Sequence, residues 1–182
     1  MNTEHVIAGR PAAEEYAPYF GRYISLIKDE DILAKLQKQW GETTAMLRSL
    51  SEKDGGLRYA PDKWSAKEVV GHVNDTERIF AYRALRIARS DKTPLAGFEQ
   101  DDYVRGGNFS GRTLVELAEE FGPVRMATVA FFKSLQKEAW QRRGTANGKE
   151  VTVRALAFIV AGHELHHRLI LEERYFPAIP RA

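Results

Sequence analysis

The chain has 182 residues, a formal net charge of +2 and 43% hydrophobic residues, which is typical of a globular protein. Basic and acidic residues alternate along it, so no basic stripe favours nucleic-acid binding. No apolar run approaches the roughly 18 residues that cross a membrane, and the acidic N-terminal region is unlike a secretory signal. We expect a cytoplasmic protein with one domain over residues 1–182.

The absence of cysteine limits the possible chemistry. It excludes disulfides, thiolate metal ligands and a cysteine nucleophile. Any thiol chemistry must therefore use a small-molecule thiol, and any metal must be held by nitrogen and oxygen atoms.

The N-terminal third predicts a lead-in and one long helix. Residues 1–12 contain glycine and proline and are expected to be loose. Residues 16–27 have apolar and aromatic side chains at near-helical spacing, interrupted by Pro18 and Gly21, which predicts a short helical lead-in. An amphipathic helix then begins at Asp31 and ends near Ser51.

A second helix is predicted from a capping box. Ser65 is followed three residues later by Glu68, a pair that caps helix N-termini. The apolar stripe that follows runs to about Arg89, and His72 lies on it. A lone histidine on such a face is usually a hydrogen-bonded core residue.

A long loop is predicted at residues 90–112, which are rich in glycine and show no sustained period. Loops of this length often cover a site, although the acidic stretch 99–102 is equally consistent with a solvated surface. A third helix begins at the capping box of Thr113, and Pro123 is expected to kink it rather than end it. Residues 144–148 predict a turn.

The last helix is predicted to begin at Thr152 and to end before Pro177 and Pro180. Four long amphipathic helices without an alternating strand pattern predict an all-α four-helix bundle. The long connection after the second helix means that a simple up-down-up-down order is not assured.

Histidines on two of these helices predict a metal site. His163 and His167 are four residues apart, so they share a helix face and can chelate one ion. His72 from another helix would complete a site of three nitrogens with one open position, which catalytic metals retain. His5, the only histidine far from these, lies in the segment expected to be loose.

Helical periodicity alone leaves the choice of ligands open. If Glu164 and Arg168 mark the polar face, His166 points most directly inward and His163 comes next. The pairs His163–His167 and His163–His166 therefore both remain possible, with a slight preference for the latter. The histidine that does not bind the metal would contact one of the ligand residues or belong to the core.

Two carboxylates near the predicted ligands are candidates for a chemical role. Asp75, one turn after His72, could orient an imidazole, act as a fourth ligand, or remain solvated. Glu164 is expected to point outward and is a weak candidate for a general base. A site of neutral imidazoles suits zinc, nickel, iron or copper, and it would activate a water molecule or stabilise a thiolate.

Several stretches resemble the DinB-like, YfiT-type family of bacterial metal-binding helical bundles. They are residues 63–78, which include His72 and the Trp64-Ser65 pair before the second predicted helix, together with 80–86, 95–101 and the histidine-rich 161–167. The resemblance extends over about residues 16–175.

The resemblance implies an up-down-down-up four-helix bundle and a metal triad at His72, His163 and His167, usually with nickel or zinc. It also implies a homodimer. Members of the family include S-transferases that use low-molecular-weight thiols such as bacillithiol or mycothiol, isomerases acting on thiol conjugates, and metal-dependent hydrolases.

The most specific functional expectation is a thiol-dependent S-transferase that acts on a small electrophile. The first alternative is a metal-dependent hydrolase with an activated water, for which Asp75 or Glu164 would be the base. The second is a non-catalytic dimeric module for metal binding or stress response. No spacing typical of a serine triad, a P-loop or a dinucleotide-binding loop is present.

Overall fold

Four long helices form the body of the protein in the computed structural model, which describes residues 9–28 and 31–177. Shorter helices and one β-hairpin connect them. In chain order the elements are α1 (Gly21–Ile24), α2 (Ile32–Arg48), α3 (Glu52–Gly55), α4 (Ala66–Ala88), α5 (Gln100–Gly107), α6 (Leu114–Lys133), α7 (Lys137–Trp140), β1 (Arg143–Ala146), β2 (Lys149–Thr152) and α8 (Val153–Ile170). A π-helical turn, Leu171–Tyr175, continues α8.

The long helices pack as a bundle, as predicted. Helix α2 packs against α6 and α8, and α4 packs against the same two helices, so α2 and α4 lie across a diagonal. Helix α8 is buried along most of its first three turns and supplies much of the core. No helix in the described ranges is long and apolar enough to span a membrane.

Each long helix begins at the residue that the sequence predicts. Ser65 and Thr113 form complete capping boxes, whereas Asp31 and Thr152 each accept a backbone hydrogen bond in the first turn, both of 3.0 Å. Caps of this kind stabilise a helix by about 1 kcal/mol. Helix α6 continues through Pro123 rather than ending there, also as predicted.

The N-terminal lead-in is held against α8. Two short 3₁₀ turns, Ala13–Glu15 and Pro18–Phe20, precede α1. Arg10 donates hydrogen bonds to carbonyl oxygens of α1 and the residues after it, and Glu15 accepts from Arg154 on α8. Residues 1–8, which include His5, and residues 178–182, which include Pro180, lie outside the described residues.

The prediction of a loop throughout 90–112 is wrong, because residues 100–107 form α5. Acidic residues in its first turn and Arg105 in its last complement the helix dipole. Asn108, at φ 47°, ends the helix in the left-handed conformation. The ring of Phe109 then occupies the space where a Cβ at Gly71 would lie, which fixes this segment on α4.

A β-hairpin was not predicted, although its turn was. Strands β1 and β2 are antiparallel, with Ala146 opposite Lys149. Asn147 and Gly148, at φ 50° and 69°, form the connection, and positive φ at both positions favours this residue pair in a two-residue hairpin turn. Leu95 joins the edge of β1 through two backbone hydrogen bonds of 2.9 Å. Four-residue strands are too short to show a clear alternation.

Candidate metal centre

Three imidazoles meet where α4 packs against α8. The Nε2 atoms of His72 and His163 are 3.1 Å apart. His167 lies one turn after His163, and one ring nitrogen of each of the three residues is within 4.8 Å of the others. Within residues 9–28 and 31–177, this is the only group of three or more potential metal-binding side chains that converge in this way.

Burial keeps these imidazoles neutral. It lowers the pKa of His72 to about 4. It also lowers the pKa values of His163 and His167 well below the usual range, and the neighbouring histidines and Arg22 add to the shift. Neutral imidazole is the form that binds metals, so protons compete little for these nitrogens near pH 7.

The orientation of His72 is set by its neighbours on α4 and before it. Thr76 places its Oγ1 3.4 Å from Nδ1 of His72, and the ring of Trp64 lies 4.8 Å from the imidazole. With Nδ1 facing the hydroxyl, Nε2 is directed at His163. Contacts of this kind to the outer nitrogen are how proteins fix a ligand imidazole.

Helix α1 supports the site from the other side. The Tyr23 ring makes edge contacts with His163 and His166, with centroid distances of 5.3 and 5.2 Å. The backbone of Tyr23 comes so close to α8 that a Cβ at Gly162 would collide with its carbonyl group. Glycine at this position therefore allows Tyr23 to pack against the imidazoles.

The helical wheel leaned towards His166, but the converging group contains His167, and both residues are partly buried. The wheel assumed that Glu164 points to solvent, but Glu164 is 2% exposed. With a charged residue of α8 facing inward, the buried side of the helix turns towards His163 and His167. The assignment of these residues as metal ligands stays a prediction.

Glu164 belongs to a group of charged residues sealed between α2, α4, α6 and α8. Arg125, which is fully buried, donates two hydrogen bonds of 2.8 Å to Glu77 and one of 3.1 Å to the carbonyl of Leu36. Arg168 lies 3.7 Å from Glu164. We call Glu77, Arg125, Glu164 and Arg168 the buried charge cluster.

Glu164 also contacts α2. Its Oε1 accepts a hydrogen bond from Thr43. Burial raises its pKa and is only partly opposed by the positive charges of Arg125 and Arg168 and by this hydrogen bond. Thr43 and Arg125 come from two other helices, so the pattern of α8 alone gave no sign of them.

Asp75 is oriented away from the imidazoles. Its carboxylate accepts a hydrogen bond of 3.2 Å from Arg78, which also pairs with Glu120 at 2.6 Å. The group nearest to the outer nitrogen of His72 is the hydroxyl of Thr76 rather than the carboxylate of Asp75.

A cavity of about 500 Å³ opens onto the imidazoles. His72 and His163 form part of its inner wall, and residues 98–101 of the predicted loop line it together with the hairpin. Further lining side chains come from helices α1 and α4: Tyr23, Thr76, Phe80 and Arg83. His167 lies on the opposite side, next to a space of about 20 Å³ that Glu164 also lines.

The sequence matches the DinB superfamily over residues 35–171, which is most of the chain. The chain belongs to the DinB superfamily. This DinB-superfamily protein matches no curated protein. Its fold is similar to that of YfiT from Bacillus subtilis, with a TM-score of 0.71, 12% sequence identity and 91% of each chain covered.

YfiT is described as a probable metal-dependent hydrolase with an unusual four-helix bundle topology. At this level of identity the likeness shows the fold, and it agrees with the predicted up-down-down-up bundle for this DinB-superfamily protein.

The donor set fits a divalent metal. Tetrahedral bonds of about 2.0–2.1 Å place two ligand nitrogens about 3.3 Å apart, close to the 3.1 Å between His72 and His163. One ring nitrogen of His167 lies within 4.8 Å of both. All three donors are neutral imidazole nitrogens, a ligand type that suits zinc and nickel.

Proposed function

We propose that this protein is a metal-dependent enzyme that acts on a small molecule. The proposal depends on one observation, the convergence of three neutral imidazoles, two of which line an open cavity of about 500 Å³. Cavities of this size commonly hold small-molecule substrates. Membership of the DinB superfamily and the fold shared with YfiT, which is described as a probable metal-dependent hydrolase, support it.

In the proposed site His72, His163 and His167 hold one divalent ion, nickel or zinc. When bound, such an ion acts as a Lewis acid that lowers the pKa of a coordinated water or thiol. Thr76 orients His72, and the rings of Trp64 and Tyr23 limit the movement of the imidazoles.

The reaction that we propose first is transfer of a low-molecular-weight thiol. Its sulfur forms a bond to an electrophilic carbon, and the thiol proton is released with the leaving group. Neither Asp75 nor Glu164, the two candidate bases, is among the residues that line the cavity. A thiol, with a pKa near 8.5, needs less help from a base than water does. The chain has no cysteine of its own, which is consistent with an external thiol.

Hydrolysis is the second candidate because YfiT is described as a probable metal-dependent hydrolase. It would use the same cavity and the same three histidines. Turnover that does not require an added thiol distinguishes it from the transferase.

The first test is metal content, measured by mass spectrometry on protein purified without a histidine tag. We expect about one equivalent of nickel or zinc in the wild type and its loss in His72→Ala. If neither protein retains metal after remetallation, the metal-dependent proposal fails, and a non-catalytic module becomes the better description.

The second test separates the two reactions. Metal-loaded protein is incubated with 1-chloro-2,4-dinitrobenzene and several bacterial thiols, and separately with p-nitrophenyl acetate without thiol. A metal-dependent rate only in the first assay supports transfer, and one only in the second supports hydrolysis. Catalysis in neither assay, with metal bound, argues against both.

We also propose that the protein forms a homodimer through helix faces, as the family resemblance implies. Light scattering coupled to size-exclusion chromatography tests this directly. A mass equal to the 20.6 kDa of one chain at micromolar concentration would contradict it.

A further inference from the structure

The cavity wall carries a buried guanidinium besides the imidazoles. Arg83 follows His72 by about three turns of α4 and lies on the same side of the helix. Both residues line the same cavity. Arg83 therefore places a positive charge along the cavity wall from the proposed metal ligands.

Arg83 is buried without a carboxylate partner. It is 6% exposed, and its one hydrogen bond runs from Nη2 to the carbonyl oxygen of Ala96, at 2.7 Å. Among the described residues no carboxylate forms an ion pair with it. Other arginines differ, because the fully buried Arg125 pairs with Glu77 and the partly buried Arg154 pairs with Glu15.

The unpartnered charge has an energetic cost. Burial lowers the pKa of Arg83, yet a guanidinium remains charged at any physiological pH. A buried charge is destabilising unless an opposite charge compensates it. An anion that enters the cavity would supply this compensation.

The guanidinium is held in position to receive such an anion. Its Cζ lies 5.7 Å from the ring centroids of both Phe80 and Phe98. Apart from the bond to Ala96, its N–H groups have no hydrogen-bond acceptor among the described residues, and none of them is a fully enclosed polar atom without a partner. Two or more donors on a planar group can bind a carboxylate in a bidentate manner.

We propose that Arg83 binds the carboxylate of a small-molecule ligand whose reacting part lies at the imidazoles. The position of the reacting part rests on the proposed function, whereas the carboxylate site does not. Phe80 lies between the two ends, 6.1 Å from the His163 ring centroid and 5.7 Å from Cζ of Arg83. The distance from the carboxylate to the reacting part of the ligand is therefore no more than the sum of these two distances, and the part between them is apolar.

The acidic residues of the cavity belong to its mouth. Glu99, Asp101 and Glu150 are exposed, as is Lys149 beside them. They disfavour ligands with several negative charges but leave the inner wall, with Arg83, available to a single carboxylate.

The test compares 3-phenylpropanoate with its neutral amide, 3-phenylpropanamide, by calorimetric or NMR titration. Both are titrated into the protein as purified and again after metal removal with EDTA, so that a carboxylate bound to metal is recognised. We expect the acid to bind at least tenfold more tightly than the amide in both preparations.

Variants assign the preference to one residue. Arg83→Gln should weaken binding of the acid at least tenfold and leave that of the amide unchanged, and Arg83→Lys should retain part of the preference. The matched control is Lys149→Gln, which removes a cation at the mouth and should change nothing. Circular dichroism and metal content establish that each variant is folded.

Two results would overturn the proposal. One is an acid that binds metal-free wild type no better than the amide, including no detectable binding of either. The other is an undiminished preference in Arg83→Gln. Failure to bind metal, in contrast, would refute the proposed function while this titration still reported on Arg83.

Discussion

Helix α8 carries buried polar groups on two sides, and the surroundings of the two groups differ. On one side Glu164 lies in the buried charge cluster, where Arg125, Arg168 and Thr43 come from the protein itself. On the other side His163 lies at the wall of an open cavity as a neutral imidazole. The charged groups on the first side have their partners within the fold, whereas neutral donors that face a cavity are available to a ligand.

The largest effect on stability is expected from removing one charge of the buried charge cluster. Arg125→Met leaves Glu77 buried without its counter-charge and should lower the free energy of unfolding by about 3–5 kcal/mol. Urea denaturation measures this. The folded fraction should bind metal as the wild type does.

A double variant is the control for this prediction. Replacing both members, as Arg125→Met with Glu77→Leu, removes the uncompensated charge and should recover much of the lost stability. If Arg125→Met is as stable as the wild type, the cluster is not the structural element that the comparison requires.

Replacing the histidines should reduce metal binding rather than prevent folding. His72→Ala or His163→Ala should abolish tight metal binding, because two imidazoles form a much weaker site. At metal concentrations about 100 times the Kd, the wild type should gain about 2.7 kcal/mol of stability, and the variants should gain none. Thermal melts with and without nickel or zinc measure the difference. A variant with the full wild-type shift would contradict the prediction.

Glu164→Gln tests the comparison through the pH dependence of stability. Burial raises the pKa of Glu164 in the folded protein above its ordinary value of 4.5. Folding therefore favours its protonated form, and wild-type stability decreases as the pH rises from 4.5 through the raised pKa. Glutamine does not titrate, so the stability of the wild type relative to the variant should fall over this range.

The measurement is denaturation of both metal-free proteins between pH 4.5 and 7. The histidines titrate in both and cancel in the difference. A relative stability that rises with pH would show that the positive charges around Glu164 outweigh its burial.

The smallest effect is expected at His166. His166→Ala removes an edge contact with Tyr23 and should cost about 1 kcal/mol or less. Metal content should remain that of the wild type. If His166→Ala loses the metal and His167→Ala retains it, the proposed ligand set is incorrect.

Features encoded by a few neighbouring residues were predictable from the sequence. Ser65 and Thr113 cap their helices through partners three residues away, so their positions follow from local chemistry. The hairpin also had a local signal, Asn147-Gly148, which favours a two-residue turn. Helix α5 had little local signal in the sequence, because its eight residues end in two glycines and bury mainly Val104.

The directions of side chains on α8 depended on other helices and could not be read from its own pattern. Glu164 points inward because Arg125 and Thr43 lie there, more than thirty residues away along the chain. The same shift explains why His167 rather than His166 joins His72. Arg83 showed no distinguishing pattern, since its role as a cavity residue depends on Phe98 and the segment around Ala96.

The attachment of Leu95 to β1 has a consequence for how this protein could diversify. Through it, residues 94–97 and the hairpin form one small unit outside the four long helices, and the hairpin lines the cavity. The imidazoles and Arg83 lie on α4 and α8 instead. Changes in the hairpin can therefore alter which molecules enter the cavity while the bundle retains the imidazoles, so selectivity can evolve separately from stability.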